Sequence, residues 1–236
     1  MGIKEAEKLG AEYASVKISD FKSITYEVNN DVKSYYINRV PGCHVRVIVN
    51  GAWGFSGSTE VNDNEIKKLT NIALKLGKMN AEFRQNRVKL AENKSIKGHY
   101  CTPVKKDAFE IDPTEYYDIL QSSVHEAMDQ SKLLKKSRAS IISQKELRFH
   151  GTSEGAFIKQ ELDRTSCGVT ATAIKNGMVQ SSGLGQNFAT KGFEWVEANK
   201  LSEMGREEGR TAAALVVAER CPQEKTSLII EDSMLS

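Results

Sequence analysis

The stretch 42-GCHVRVIVNGAWGFSGS-58 decides the fold. Val45, Val47 and Val49 alternate with His44, Arg46 and Ile48, which is the period of an extended chain with one apolar side. Asn50-Gly51 then supplies two residues that tolerate positive φ, the strongest short signal for a tight hairpin, and a return strand carries Trp53 and Phe55. An antiparallel sheet is therefore expected at the centre.

The same style extends toward the N-terminus. A short helix over residues 3–10 feeds a strand at EYASVKIS, and SITYEVN and VKSYYINRV flank the turn cluster Asn29-Asn30-Asp31. Pro41-Gly42 has turn chemistry and leads into the strand at 43–49. Toward the C-terminus, Asn62 stands three residues before Glu65 in capping-box spacing. Ile66, Leu69, Ala73 and Leu76 recur at helical spacing, so a helix is predicted over 63–83. The polar stretch RVKLAENKSIKGHYCTP holds one or two short strands.

A second helix starts at Asp112-Pro113 and is expected to reach about 136, with Tyr116, Ile119, Leu120, Val124, Ala127 and Met128 as its apolar stripe. Strands return from 138 to 181, broken by turns at Ser153-Glu154-Gly155 and Asn176-Gly177. A last helix over 195–219 precedes a terminal strand, Thr226 to Glu231, with an open edge. The class is α+β, with two lobes of antiparallel β-meander packed with helices. The lobes are residues 1–105 and 106–236, and their boundary falls within 86–112.

Composition excludes several functions. The 33 basic and 31 acidic residues nearly cancel and form no long basic run, so nucleic acid is not the expected partner. No apolar run suits a membrane span and no signal peptide opens the chain, which together point to the cytoplasm. Cys43, Cys101, Cys167 and Cys221 are too scattered for a disulfide framework or zinc ribbon and are read as small buried hydrophobes.

Catalytic motifs are incomplete. His125-Glu126 opens a zincin pattern, but Asp129 and Gln130 stand where a second imidazole is required, so His125 is read as a solvated helix residue. His44, His99 and His150 lie on separate elements. Gly183 and Gly185 lack the third glycine of a dinucleotide loop, and the sequon at Asn93 is fortuitous. No serine or cysteine has a base nominated by spacing. Two glycine-rich hairpins, GAWGFSGS and HGTSEG, read either as tight turns with core aromatics or as a peptide-contacting surface. On the second reading Trp53, Phe55, Ser153 and Glu154 are the contacts.

The segments GCHVRVIVNGAWGFSGSTEVN, HGTSEGAFIKQELDRTSCGVTATAIKNGMVQ and GREEGRTAAALVVAERCPQEKTSLIIEDSML together resemble, in order, the N-terminal half of the TldD/TldE (PmbA) family, whose name is linked to modulation of DNA gyrase. The GAWGF form is more similar to the TldD type. The resemblance implies a zinc-dependent peptidase acting on peptides or unfolded segments, working as a homodimer or a TldD/TldE-type heterodimer. Its metal helix, H-E-x-x-x-H, would follow the strand corresponding to TSLIIEDSML, where this sequence stops. No metal ligand can be carried over, so zinc is expected in the complete protein and not in this chain, which is read as a truncated or split N-terminal region. The alternative is a non-catalytic peptide-binding or subunit-interaction module.

Overall fold

A computed structural model describes residues 2–91, 94–183, 187–219, 225 and 227–230. Its elements, in chain order, are α1 (Gly2–Lys8), β1 (Tyr13–Asn29), β2 (Val32–Val49), β3 (Ala52–Ser58), α2 (Asp63–Phe83), β4 (Lys97–Cys101), α3 (Pro113–Met128), β5 (Leu134–Thr152), β6 (Phe157–Lys175), β7 (Met178–Gly183), β8 (Phe188–Ala189), α4 (Glu194–Asn199) and α5 (Leu201–Leu215). The strands form one eight-stranded sheet in the order β3-β2-β1-β5-β6-β4, with β7 and β8 pairing on β6. All pairs are antiparallel except β4 with β6. Segments 1–105 and 106–236 meet in this sheet through the β1–β5 ladder, which runs from Ser15↔Thr152 to Asn29↔Arg138, and through the β4–β6 pairing from Lys97↔Phe157 to Cys101↔Glu161.

The helices share one face. On β1, Ala14, Val16 and Ile18 pack with α1 and α2, while Ile24, Tyr26 and Val28 pack with α3 and α4. All six have even numbers in a strand whose register is unbroken, so period two puts them on the same side. One apolar cluster, with Val45, Val47, Leu69 and Ala73, thus lies at one end of that face. Another, with Tyr116, Leu120, Ile141 and Phe193, lies at the other end. The opposite face carries the odd residues of β1, and no described helix lies over it.

Local chemistry explains the helices. Asn62 caps α2 by accepting the Glu65 N–H at 2.8 Å, and Asp112 caps α3 by accepting the Thr114 N–H at 2.7 Å. Asn50 and Gly51 have φ of 50° and 73°, as the tight hairpin requires. The sheet and α2 touch backbone to backbone: a Cβ on Gly54 of β3 would lie 1.9 Å from the Ala73 carbonyl and 2.7 Å from the Gly77 nitrogen. On the other helix pair, Cβ atoms at Gly205 and Gly209 would meet the carbonyls of Ser123 and Ala127 at 2.2 and 2.3 Å, so α5 sits directly on α3.

Several expectations are corrected. Pro41-Gly42 makes no turn: β2 runs 18 residues straight through it, and Pro41 pairs with Asp20. Proline is tolerated there because β3 ends at Cys43↔Ser58, leaving one side of β2 open. The helix from Pro113 stops at Met128, where the Asp129 N–H closes on the Ala127 and His125 carbonyls, and Leu134 already begins β5. The last helix divides at Lys200, which has φ of 44°, and ends at Leu215. Leu76 is exposed on α2 and Leu74 takes its place in the core. Cys101 is exposed, since β4 is an outer strand with both sides in solvent; Cys43 and Cys167 are buried. Burial raises the Cys167 thiol to about 11.

Ser227–Ile230 belongs to no strand: no described strand pairs with it, and Leu228 and Ile229 are exposed. Asn93, Gly185, Cys221, Thr226 and Glu231 lie outside the described residues. No described helix is long and apolar enough to cross a membrane.

Candidate functional site

Register assembles the open face. Opposed residues of paired strands point the same way, so Gly57, His44, Lys17, His150 and Ile158 form one row across β3, β2, β1, β5 and β6. The row on one side holds Phe55, Arg46, Ser15 and Thr152; on the other side are Gly42, Ser19, Arg148 and Gln160. Aromatic rings border the cations. Trp53 meets Tyr13 edge-on at 5.9 Å, the Arg46 guanidinium lies 4.4 Å from the Trp53 ring centre, and Phe55 is 5.4 Å from His44.

The charges on this face do not balance locally. Glu146 is neutralised: Arg148 donates to it at 2.9 and 2.6 Å, Ser19 donates at 2.9 Å, and Arg164 stands 3.9 Å away. Burial pushes the Glu146 carboxyl up, but the hydrogen bonds from Arg148 and Ser19 outweigh it and hold the group below the ordinary range. Lys17 and Arg46 form no ion pair among the described residues. Burial, followed by the fields of Lys17 and Arg46, lowers both His44 and His150, so near neutral pH the imidazoles add hydrogen-bonding capacity without charge. A cavity of about 540 Å³ opens here, lined in part by Lys17, Ser19, Phe21, His44, Phe55 and Pro41. It is suited to an anionic group beside an apolar one.

The sequence-nominated residues divide in two. Trp53 and Phe55 stand on this face. Ser153 is engaged by the backbone: its Oγ accepts the Ala14 N–H at 3.0 Å, and its own N–H donates to the Ala14 carbonyl at 2.8 Å, extending the β1–β5 ladder. Glu154 lines a pocket of about 220 Å³ at the sheet's end with Glu12, Tyr13, Ile48, Val88 and Leu90. It therefore adjoins Tyr13, the ring that Trp53 touches. Sequence reading missed Lys17, Arg46 and His150 as partners of the aromatic pair. Alternation puts each on a polar side of its strand, but only long-range register puts them in neighbouring rows.

A catalytic zinc does not fit these residues. It needs three protein donors around one point, and among the described residues no three His, Cys, Asp or Glu side chains converge. His44 and His150 are separated by the Lys17 ammonium, which repels a cation. His99 is bonded to Glu161 at 2.8 Å, and His125 lies 4.0 Å from Asp31.

Comparison with known proteins adds the following. Residues 16–77 match the family model described as PmbA/TldA metallopeptidase domain 1. The chain is similar to a metalloprotease of Methanocaldococcus jannaschii, 26% identical over 99% of this chain and 51% of that protein. A metalloprotease of Methanothermobacter thermautotrophicus is 23% identical over 94% of this chain and 47% of its own length. The chain thus spans about half the length of these relatives. Among solved structures, a Thermotoga maritima protein described as a modulator of a DNA gyrase superposes with a TM-score of 0.72 at 12% identity, over 94% of this chain and 48% of that one. TldE from Thermococcus kodakarensis superposes at 0.67 with 15% identity, over 89% and 46%. These structural likenesses show the fold.

Proposed function

We propose that the chain belongs to the TldD/PmbA family, a reading supported by the match of residues 16–77 and by its two archaeal metalloprotease relatives, and that it is the peptide-holding region of a TldD-type zinc peptidase acting on peptides or unfolded segments, with the metal held by residues other than those described. One observation carries this reading: a sheet face with no described helix over it presents Trp53 and Phe55 beside Lys17, Arg46 and His44. Aromatic rings left out of a core and set beside unpaired cations suit a ligand with apolar and anionic groups. Trp53 and Phe55 then contact the peptide directly, Glu154 borders its path, and Ser153 holds the turn that positions Glu154. A cytoplasmic location is part of the same proposal.

A second reading is a subunit-interaction module. It is favoured by the outer side of β2, where Val32, Tyr35, Tyr36, Ile37 and Val40 are all exposed. A TldD/TldE-type heterodimer or a homodimer would cover such a surface. The two readings are tested on the purified chain by measuring bound zinc after removal of excess metal, cleavage of an unstructured peptide, and binding of that peptide. Binding without zinc or cleavage, weakened by Trp53→Ala, is expected. Stoichiometric zinc with chelator-sensitive cleavage abolished by His125→Ala would overturn the assignment. Self-association without peptide binding would favour the second reading.

A further inference from the structure

The outer side of β2 is an unfinished sheet edge, and strand parity says which of its groups are available. Asn29 and Val32 flank a two-residue turn, so they are a hydrogen-bonded pair and the even residues of β2 point their N–H and C=O groups at β1. The Glu12 N–H confirms this parity by donating to the Ile48 carbonyl at 2.7 Å. The odd residues point away from β1. From Cys43 to Val49 those groups face β3, whose pairing ends at Cys43↔Ser58. Below that point Lys33, Tyr35, Ile37 and Arg39 each turn an N–H and a C=O outward, and Pro41, which has no N–H, turns out only its carbonyl.

Nothing described covers this edge. Val32, Tyr35, Tyr36, Ile37 and Val40 are exposed, Ile37 to 70%. The edge is also continuous with the cavity: Val40, Pro41 and Gly42 form its wall at the step where β3 stops, opposite Lys17, Ser19 and His44. We propose that an extended peptide adds to β2 as an extra strand in line with β3, with an Asp or Glu side chain at its β3-proximal end entering the cavity at Lys17. This deepens the peptide-holding reading and rests on it. The outward groups of Lys33 to Arg39 supply sequence-independent main-chain bonds, and exposed Tyr36 and Val40 pack against alternate side chains of the added strand. Gly42 has no side chain to block the way to Lys17. Charge decides the preference. Lys17 and Arg46 have no carboxylate partner among the described residues, whereas Glu146, the acid on the neighbouring strand, is already held by Arg148, Ser19 and Arg164. A second copy of the chain is the competing occupant.

The test uses two labelled, N-acetylated and C-amidated unstructured peptides that differ only in Glu against Gln, titrated by fluorescence anisotropy. Amidation removes the terminal carboxylate, so any charge preference comes from the side chain. The Glu peptide should bind about tenfold more tightly at low salt, with the advantage shrinking as salt rises. Lys17→Met should level the two affinities. Ile37→Pro, which deletes one outward N–H and leaves the β1 pairing intact, should weaken both by about tenfold or more. If Ile37→Pro fails to fold, peptide-induced protection of the Ile37 amide from hydrogen exchange in the unaltered chain replaces it. Equal affinities, or an unprotected Ile37 amide in the bound state, would overturn this inference and leave the peptide-holding reading standing. Failure of both peptides to bind would overturn both, and a dimer that excludes peptide and dissociates in Ile37→Pro would assign the edge to a second copy.

Discussion

His44 and His150 show how a residue's surroundings on the open face set its chemistry. Each is half-buried beside Lys17, and burial, then the neighbouring cations Lys17 and Arg46, lowers its pKa from 6.5. The folded state therefore binds protons less readily than the unfolded chain. The stability tied to neutral imidazoles is present above pH 6.5 and is lost as pH falls through the folded-state values. Thermal melts should show a falling Tm between about pH 7 and about pH 5, a range in which ordinary carboxylates have not yet titrated. A double variant, His44→Asn with His150→Asn, should flatten that segment; an unchanged slope would mean that the two rings are not held neutral. Each residue was visible in sequence as a polar member of an alternating strand. Their placement on either side of Lys17 was not, because it depends on the β1–β5 ladder, which joins Lys17 to His150 across more than a hundred residues.

At the scale of elements, the hairpin at Asn50-Gly51 and the capped start of α2 were legible because their signals are local: two residues of positive φ, and one side chain reaching a backbone N–H three residues on. The continuity of β2 through Pro41-Gly42 was not legible. Proline and glycine commonly mark turns, and only the absence of β3 beyond Ser58 makes a proline acceptable there. The contact between β3 and α2 was hidden for a similar reason, since the sequence shows Gly54 and Gly77 without showing that they face each other. Gly54→Ala should cost about 1–3 kcal/mol in urea denaturation, because the new methyl group would overlap the Ala73 carbonyl. Gly98→Ala, which meets nothing within 4 Å and lies on the outer strand β4, is the control and should be close to neutral. Equal costs at the two positions would contradict the close approach of α2 to the sheet.

For the whole molecule, the recurring meander-and-helix pattern was readable, and so was the family resemblance in the segments that carry it. The single sheet joining the two segments was not, because the β1–β5 pairing leaves no short-range mark. We propose that 1–105 and 106–236 act as two packing units over that shared sheet, each bringing its own helices to the same face. The opposite face and the β2 edge are then left for a ligand. The proposed occupant of the open face and edge is a peptide, and the NMR spectrum of the chain titrated with the acidic, end-blocked peptide tests this. Perturbations are expected at Lys17, His44, His150 and the Trp53 indole, together with amide protection at Tyr35, Ile37 and Arg39. A saturating shift confined instead to the cleft of about 430 Å³ that Ile119, Val196 and Leu201 line among α3, α4 and α5, or no shift at all, would contradict it.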